Sequence, residues 1–489
     1  LSVFHVSTPP WAMAETADRC RLLLAAPCGE VRTATVRYAD PYDYLPGDSK
    51  AHALADIPMR PLPCAQGMDW FVADGVPMPT HKLSYHFALT LDGDACALLG
   101  ANGLLDMAEE ARLEPFLMAY RFASQTPNPP VWAGSTVWYQ IFPDRFSAQS
   151  PACAPEMFVP RREGFFGGTL AGITERLPWL RALGVTGVYL NPVFASPSNH
   201  RYDTVDYRAV DARLGSKADL VALADALHTG GMRLMLDGVF NHASDRCPQF
   251  VDVIANGRQS PYWDWFLIRD EAALRNESPE RWTSQRMKIN PPYECFAFAA
   301  NMPKWNTDHP AVIDYITGAA AGWTRDLALD AWRLDVPDEI SPRFLRAFRE
   351  RVRAVNPQAE VIGEIWGEPW PWLMGDMFDG VMDYPVYFAL RDFLLRKTIG
   401  AHLFCDRMNV LGNRMPPAQA RRCMRFLGNH DLPRAITEAG GSADAVRAAL
   451  LALLMALPGE LCLYYGDEVD LAGGADPANR GAMLFAGEG

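Results

Sequence analysis

No Cys-x-x-Cys spacing occurs among the ten cysteines, so a zinc site built on such pairs is not expected. Ten are also too sparse in 489 residues for a disulfide framework, and they read as scattered buried thiols in a reducing compartment. Positive charge is short as well. Lys and Arg number 45 against 58 Asp and Glu, a net charge of -13, which argues against a nucleic-acid backbone as the main partner. Long apolar runs are missing. The longest, Ala448–Leu457, is too short to span a bilayer, so no membrane partner is expected and the run reads as a buried helix. Leu1–Ala17 has no basic stretch leading into an apolar core, so no secretory signal is read there. A soluble, cytoplasmic protein is the expectation. Internal repeats and low-complexity tracts are absent too.

What the chain has in quantity is aromatic: 14 Trp, 16 Tyr and 24 Phe. Such side chains fill cores, and they also offer flat platforms to the apolar faces of sugar rings. Residues 1–122 show short candidate strands at Arg21–Ala25, Val31–Tyr38, Asp69–Val72 and Leu83–Leu91, broken by Asp40-Pro41, Pro46-Gly47 and Asp92-Gly93. That texture predicts an N-terminal all-β sandwich. Residues 123–134, rich in proline, read as a linker.

From Ser135 to Gly489 the texture changes to apolar runs alternating with helical segments. The runs are Thr136–Ile141, Thr186–Leu190, Arg233–Val239, Leu329–Val336, Glu360–Ile365, Gly380–Asp383, Met424–Gly428 and Leu461–Tyr465. Eight such units predict an α/β fold, a closed (β/α)8 TIM barrel. The long interval between the third and fourth runs holds Trp263, Trp265, Trp282 and the helix-like Ala311–Asp326. A subdomain inserted after the third strand, residues 243–300, is expected there.

Barrel enzymes carry their chemistry at the C-terminal ends of the strands, so the polar residues closing each run are the candidates. The third run closes on Asp237-Gly238-Val239-Phe240-Asn241-His242, the fourth on Arg333-Leu334-Asp335, the fifth on Glu364-Ile365-Trp366 and the seventh on Asn429-His430-Asp431. Arg333 and Asp335 are two apart on a strand and share a face. An Arg beside a carboxylate holds it ionised, as a nucleophile requires. Glu364 on the next strand lies close to Asp335, and neighbouring carboxylates do not both ionise easily. The one without the Arg, Glu364, is then the proton donor. That division of roles is what a retaining glycosidase needs.

These clusters resemble the conserved regions of the α-amylase family of glycoside hydrolases (family 13), in that family's order. Further matches are Trp138-Tyr139-Gln140-Ile141-Phe142-Pro143, Ser198-Asn199-His200-Arg201-Tyr202-Asp203-Thr204, Met302-Pro303-Lys304-Trp305-Asn306 and Tyr464-Tyr465-Gly466-Asp467-Glu468. Phe165-Phe166-Gly167-Gly168, Asp376–Pro385 and Gly473-Gly474-x-Asp476-Pro477-x-x-Arg480 resemble the cyclomaltodextrinase, neopullulanase and maltogenic amylase subgroup. The resemblance implies Asp335 as nucleophile, Glu364 as acid/base and Asp431 as a third carboxylate gripping the sugar. It implies substrate-binding roles for Tyr202, Asp203, Asp237, His242, Arg333, His430 and Arg434, with Trp366 lining the acceptor side. The implied substrates are α-1,4-linked, and in part α-1,6-linked, glucans: cyclodextrins, maltodextrins or pullulan. It further implies a homodimer formed through the N-terminal domain. The alternatives are a glucanotransferase or isomerase on the same site, or a non-catalytic α-glucan-binding protein.

Two departures stand out. After Phe146 the family often binds calcium, but Ser147–Cys153 has no carboxylate and Thr169 replaces an acidic residue, so no metal or other cofactor is expected. The sequence stops at Gly489, before the C-terminal β-domain that the resemblance implies, and that domain is expected to be missing.

Overall fold

The alternation in the first part of the chain becomes two antiparallel sheets in a computed structural model. This structure describes every residue except 1, 42, 43, 46, 47, 53, 119–126, 148–163, 277–290, 484 and 486–489. One sheet has four strands in the order Ala12–Thr16, Arg19–Pro27, Met68–Pro77, Arg60–Ala65. The other is ordered Gly103–Asp106, Cys96–Gly100, Leu83–Leu91, Val31–Ala39, Ala55–Pro58, with Phe116–Met118 added on Leu83–Leu91. Leu22, Leu24, Val36, Phe71, Tyr85 and Phe87 form part of the core that these strands bury, the arrangement of a β-sandwich.

The compact unit containing this sandwich runs to Asn128 and includes two later segments, Glu368–Asp379 and Thr398–Ala420. The second holds helix α1 (Ala401–Arg414), whose Val410 packs with Trp11, Leu23 and Trp70. The buried Arg21 Nη2 donates to Asn413 O (3.0 Å), and Asn413 Nδ2 donates to Pro63 O (2.8 Å). The sandwich is thus finished by chain from far beyond residue 122.

The other unit comprises Pro129–Gly367, Gly380–Lys397 and Arg421–Gly489. Of the expected linker, residues 123–126 lie outside the described residues, while Trp132 Nε1 donates to Gln358 O (2.9 Å). Eight parallel strands follow: β1 (Val137–Ile141), β2 (Gly187–Leu190), β3 (Arg233–Gly238), β4 (Ala331–Leu334), β5 (Glu360–Gly363), β6 (Gly380–Val381), β7 (Met424–Arg425) and β8 (Glu460–Tyr464). Their order is β6-β5-β4-β3-β2-β1-β8-β7, and a parallel bridge from Met382 to Met424 closes the ring between β6 and β7. Trp138, Tyr189, Met235, Ala331, Ile362, Met424 and Cys462 fill its inside. Trp138 needs room: a Cβ on Gly187 would meet its ring at 2.6 Å.

Between β3 and Trp305 the chain leaves the barrel. Bridges Phe266–Trp305, Ile268–Tyr293 and Cys295–Pro303 tie the excursion together, and residues 277–290, with Trp282, lie outside the described residues. The helix expected at Ala311–Asp326 is Pro310–Asp326.

Two expectations need correction. Helix Ala443–Met455 is not buried all round: Leu451, Leu454 and Met455 are exposed, because the run is apolar on more faces than its neighbours cover. Nor are the thiols uniformly buried, since Cys28, Cys64, Cys96 and Cys405 are exposed, their places in the fold rather than their apolar character deciding burial.

Candidate active site

The strand ends bring the carboxylates together. Register pairs Asp237 with Arg333 and Arg333 with Ile362, so Asp335 and Glu364 each stand one residue past their strands on neighbouring rungs. Arg333 is fully buried and meets all three acids. Its Nη1 donates to Asp237 Oδ1 (2.7 Å) and Asp335 Oδ1 (2.8 Å), and its Nη2 lies 2.7 Å from Glu364 Oε2. This corrects the expectation that Glu364 is the carboxyl without the Arg. A guanidinium two residues before Asp335 also reaches the end of the next strand, so its charge does not by itself separate the two roles.

Burial pushes Asp335 well above the ordinary carboxylate range, Arg333 pulls it back, and the Glu364 and Asp237 charges push it further up. Asp237 is raised from its usual value by burial, while Arg333, Tyr189 and Tyr202 oppose the rise through their bonds to it. Glu364 Oε1 accepts from Trp366 Nε1 (3.1 Å) and Tyr384 OH (3.2 Å), and the Val336 N–H donates to Oε2 (3.3 Å). Val336 has φ 43, a conformation costly for a β-branched residue, of order 1–3 kcal/mol.

Tyr202 OH donates to Asp237 Oδ2 (2.9 Å), and its ring stacks on His430 at 5.1 Å. His430 Nδ1 accepts from Gln140 Nε2 (3.0 Å) and Asn191 Nδ2 (3.2 Å), which places the proton on Nε2, 3.1 Å from Asp431 Oδ2. Burial, then the Arg480 and Arg333 charges, hold His430 well below its usual value, so it is neutral. Asp431, raised by burial, accepts from Arg480 Nη2 (3.3 Å).

These groups surround a cavity of about 400 Å³ lined by Tyr202, Asp335, Glu364, Trp366, His430 and Asp431. Trp366 is 44% exposed, stacks on Tyr384 at 3.9 Å and lines the cavity. Other expected residues stand behind the wall. His242 donates from Nε2 to Tyr202 O (3.1 Å) and stacks on Phe296, with burial lowering it to about 3. Asp203 accepts from Ser196 Oγ (2.6 Å) and from Ser198 Oγ. Both shape the loop that carries Tyr202.

Arg434, expected at the substrate, is instead sealed away. Its Nε donates to Asn479 O (2.8 Å), it pairs with Asp467 (3.1 Å), and it has no exposed surface. Its length carries it under the loop after β8 rather than into the cavity. The lining residues that sequence reasoning did not single out for the site are His200, Phe296, Met302, Val336, Asp338, Asp476 and Arg480. Of these, His200, Met302, Asp476 and Arg480 stand in stretches that carry the family resemblance, and Arg480 pairs with Asp476 (3.2 Å).

Of the Ser147–Cys153 stretch, expected not to bind calcium, residues 148–153 lie outside the described residues. Thr169 caps helix Leu170–Glu175, its Oγ1 accepting from Gly172 N–H (3.0 Å). Among the described residues, the group of metal-ligating side chains close enough to share an ion is Cys28, Cys64 and Asp69, whose sulfurs do not suit calcium.

A closed parallel barrel with carboxylates gathered at its strand ends around one cavity defines a carboxylate-based glycoside hydrolase. The comparisons agree. Residues 140–483 match the α-amylase catalytic domain, and residues 1–122 match the α-amylase N-terminal Ig-like domain. A cyclomaltodextrinase of Geobacillus thermopakistaniensis (strain MAS1) is 36% identical over 490 residues, 99% of this chain and 80% of its own. An intracellular maltogenic amylase of Bacillus subtilis is 37% identical over 463 residues, 92% of this chain and 75% of its own. The solved structure of a cyclomaltodextrinase superposes with a TM-score of 0.87 at 33% identity, covering 99% of this chain and 80% of that one. The chain belongs to the α-amylase family of glycoside hydrolases. Among the described residues, no helix is long and apolar enough to cross a membrane.

Proposed function

We propose that the protein is a retaining hydrolase of α-1,4-glucosidic bonds in small or cyclic maltodextrins, with Asp335 as nucleophile and Glu364 as acid/base. The observation that supports this most strongly is Arg333 holding both carboxyls at the mouth of one cavity. A retaining pair needs its carboxyls close, ~5–5.5 Å apart, and a single guanidinium contacting both supports that reading. Asp335 attacks the anomeric carbon while Glu364 protonates the departing glycosidic oxygen. The resulting ester is then cleaved by a water that gives its proton to Glu364. Asp431, positioned by Arg480 and His430, binds sugar hydroxyls beside the reacting carbon. Trp366 offers the acceptor-side platform, which also favours capture of the ester by a second sugar, a glucanotransferase side activity. Cleavage of α-1,6 bonds, as in pullulan, belongs to the same proposal.

Asp335→Asn is expected to lower turnover of β-cyclodextrin by about 10⁴-fold or more. Glu364→Gln is expected to be crippled on maltotriose yet to release fluoride rapidly from α-maltosyl fluoride, whose leaving group needs no proton. Equal losses on both substrates would refute the assignment. A product profile on β-cyclodextrin, maltotriose and pullulan, with and without added glucose, measures linkage choice and sugar transfer.

Calcium independence is also proposed, on the uncharged Ser147–Cys153 stretch and the Thr169 cap. EDTA is expected to leave the melting temperature unchanged; a drop restored by calcium would overturn this. A cytoplasmic location is proposed from the intracellular relative in Bacillus subtilis.

A further inference from the structure

Two exposed thiols of the sandwich unit approach each other more closely than surface packing requires. Cys28 follows strand Arg19–Pro27, Cys64 lies in strand Arg60–Ala65, and their sulfurs are 2.8 Å apart. The backbone builds this approach. Met68 pairs with both Pro27 and Ala65, and Cys28 N–H donates to Gly67 O (3.0 Å). The turn at Gln66 and Gly67, both with positive φ, carries Cys64 back over the end of the first strand. Asp69 Oδ2 accepts from Gly29 N–H (2.8 Å) and fixes the Cys28 side. On the other side Asn409 Nδ2 donates to Cys64 O (3.2 Å), and Gln66 N–H donates to Asp406 Oδ1 (2.6 Å). All these residues belong to the sandwich unit.

We propose that Cys28 and Cys64 are a redox-active pair that closes reversibly to a disulfide, with a small-molecule disulfide as the oxidant. The sulfurs need to move only from 2.8 Å to the ~2.03–2.05 Å of the bond. Two thiolates on one tetrahedral zinc stand roughly 3.8 Å apart, and Asp69 alone would complete the set, so the spacing favours a bond over an ion. One protein thiolate attacks the external disulfide, whose S–S bond breaks and whose leaving sulfur takes up a proton. The second protein thiolate then attacks the mixed disulfide and expels the other external thiol. Two protein thiols are oxidised, and one external disulfide is reduced to two thiols. The hydrogen bond to Cys64, and after it burial and the Asp69 charge, push the Cys28 thiol up to about 12, so closure quickens as pH rises. The bond would tie positions 36 residues apart and restrict the unfolded chain.

The test uses the full chain, incubated with oxidised glutathione, quenched with an alkylating agent and mapped by mass spectrometry. A Cys28–Cys64 cross-linked peptide, lost on reduction, is expected, with the oxidised protein melting about 3–6 °C higher. Cys28→Ser and Cys64→Ser are expected to keep glucan hydrolysis and lose both signals. Lasting glutathione adducts on either cysteine, pairing with the exposed Cys96 or Cys405, or an unreacted pair would overturn the proposal. So would stoichiometric protection of both thiols by zinc alone, which would make the site a metal site.

Discussion

Arg333 carries three buried acids on one side chain, and their proton affinities are therefore linked. A nucleophilic Asp335 must be ionised, and burial together with Glu364 and Asp237 raises its pKa. The acidic limb of kcat/KM is thus expected above the usual carboxylate range, with activity falling as pH drops through the raised value. Measured on α-maltosyl fluoride, which needs no proton from Glu364, that limb reports Asp335, and a limb within the ordinary carboxylate range would refute the raised value. Much of this cluster was legible in the sequence, because apolar runs mark strands and the acids follow their ends. The reach of Arg333 to Glu364 was not, since it depends on the register that sets Arg333 opposite Ile362. Arg434 shows the complementary limit: a motif gives position along the chain, not whether a long side chain points into a cavity or under a loop.

The barrel strands buried a second set of acids away from the cavity. Glu460 opens β8, accepting from Trp138 Nε1 (2.5 Å) and Gly134 N–H (2.7 Å), and burial pushes it from 4.5 up to about 7. Between those values the unfolded chain has lost the proton that the folded chain keeps. Stability therefore falls as pH rises through that window, by up to about 3 kcal/mol from this group once pH exceeds the folded value. Glu468, also pushed up to about 7 by burial, contributes with the same sign. In urea unfolding at about pH 5 and about pH 8, Glu460→Gln is expected to show a smaller loss of stability between the two pH values than the parent. An unchanged difference would remove Glu460 from the account. Sequence showed β8 as an apolar run, but a carboxylate at its first position gave no sign of being enclosed. The existence of the barrel strands was readable from pattern, but not their ends, since the run Met424–Gly428 holds a strand of only Met424–Arg425, and the depth of a single side chain is set by strands far away in sequence.

At the scale of the whole molecule, a homodimer through the sandwich unit is proposed from the family resemblance, and light scattering at working concentration tests it. Deleting residues 1–122 would leave the helix Ala401–Arg414 without Trp11, Leu23 and Trp70 around Val410, and Asn413 without Arg21. The deleted protein is therefore expected to aggregate or to melt at least several degrees lower, rather than to give a stable monomer. A soluble monomer with the parent's melting temperature would refute this. The sequence did not show that dependence, because a contact between Arg21 and Asn413, 392 residues apart, leaves no local pattern. It also sets a timetable. At ~5–20 residues per second, a ribosome would deliver Asn413 roughly 20–80 s after Arg21. For that time the nascent chain would hold out a greasy face made by two tryptophans with nothing to cover it, and the yield of enzyme in a cell would turn on what else binds there first.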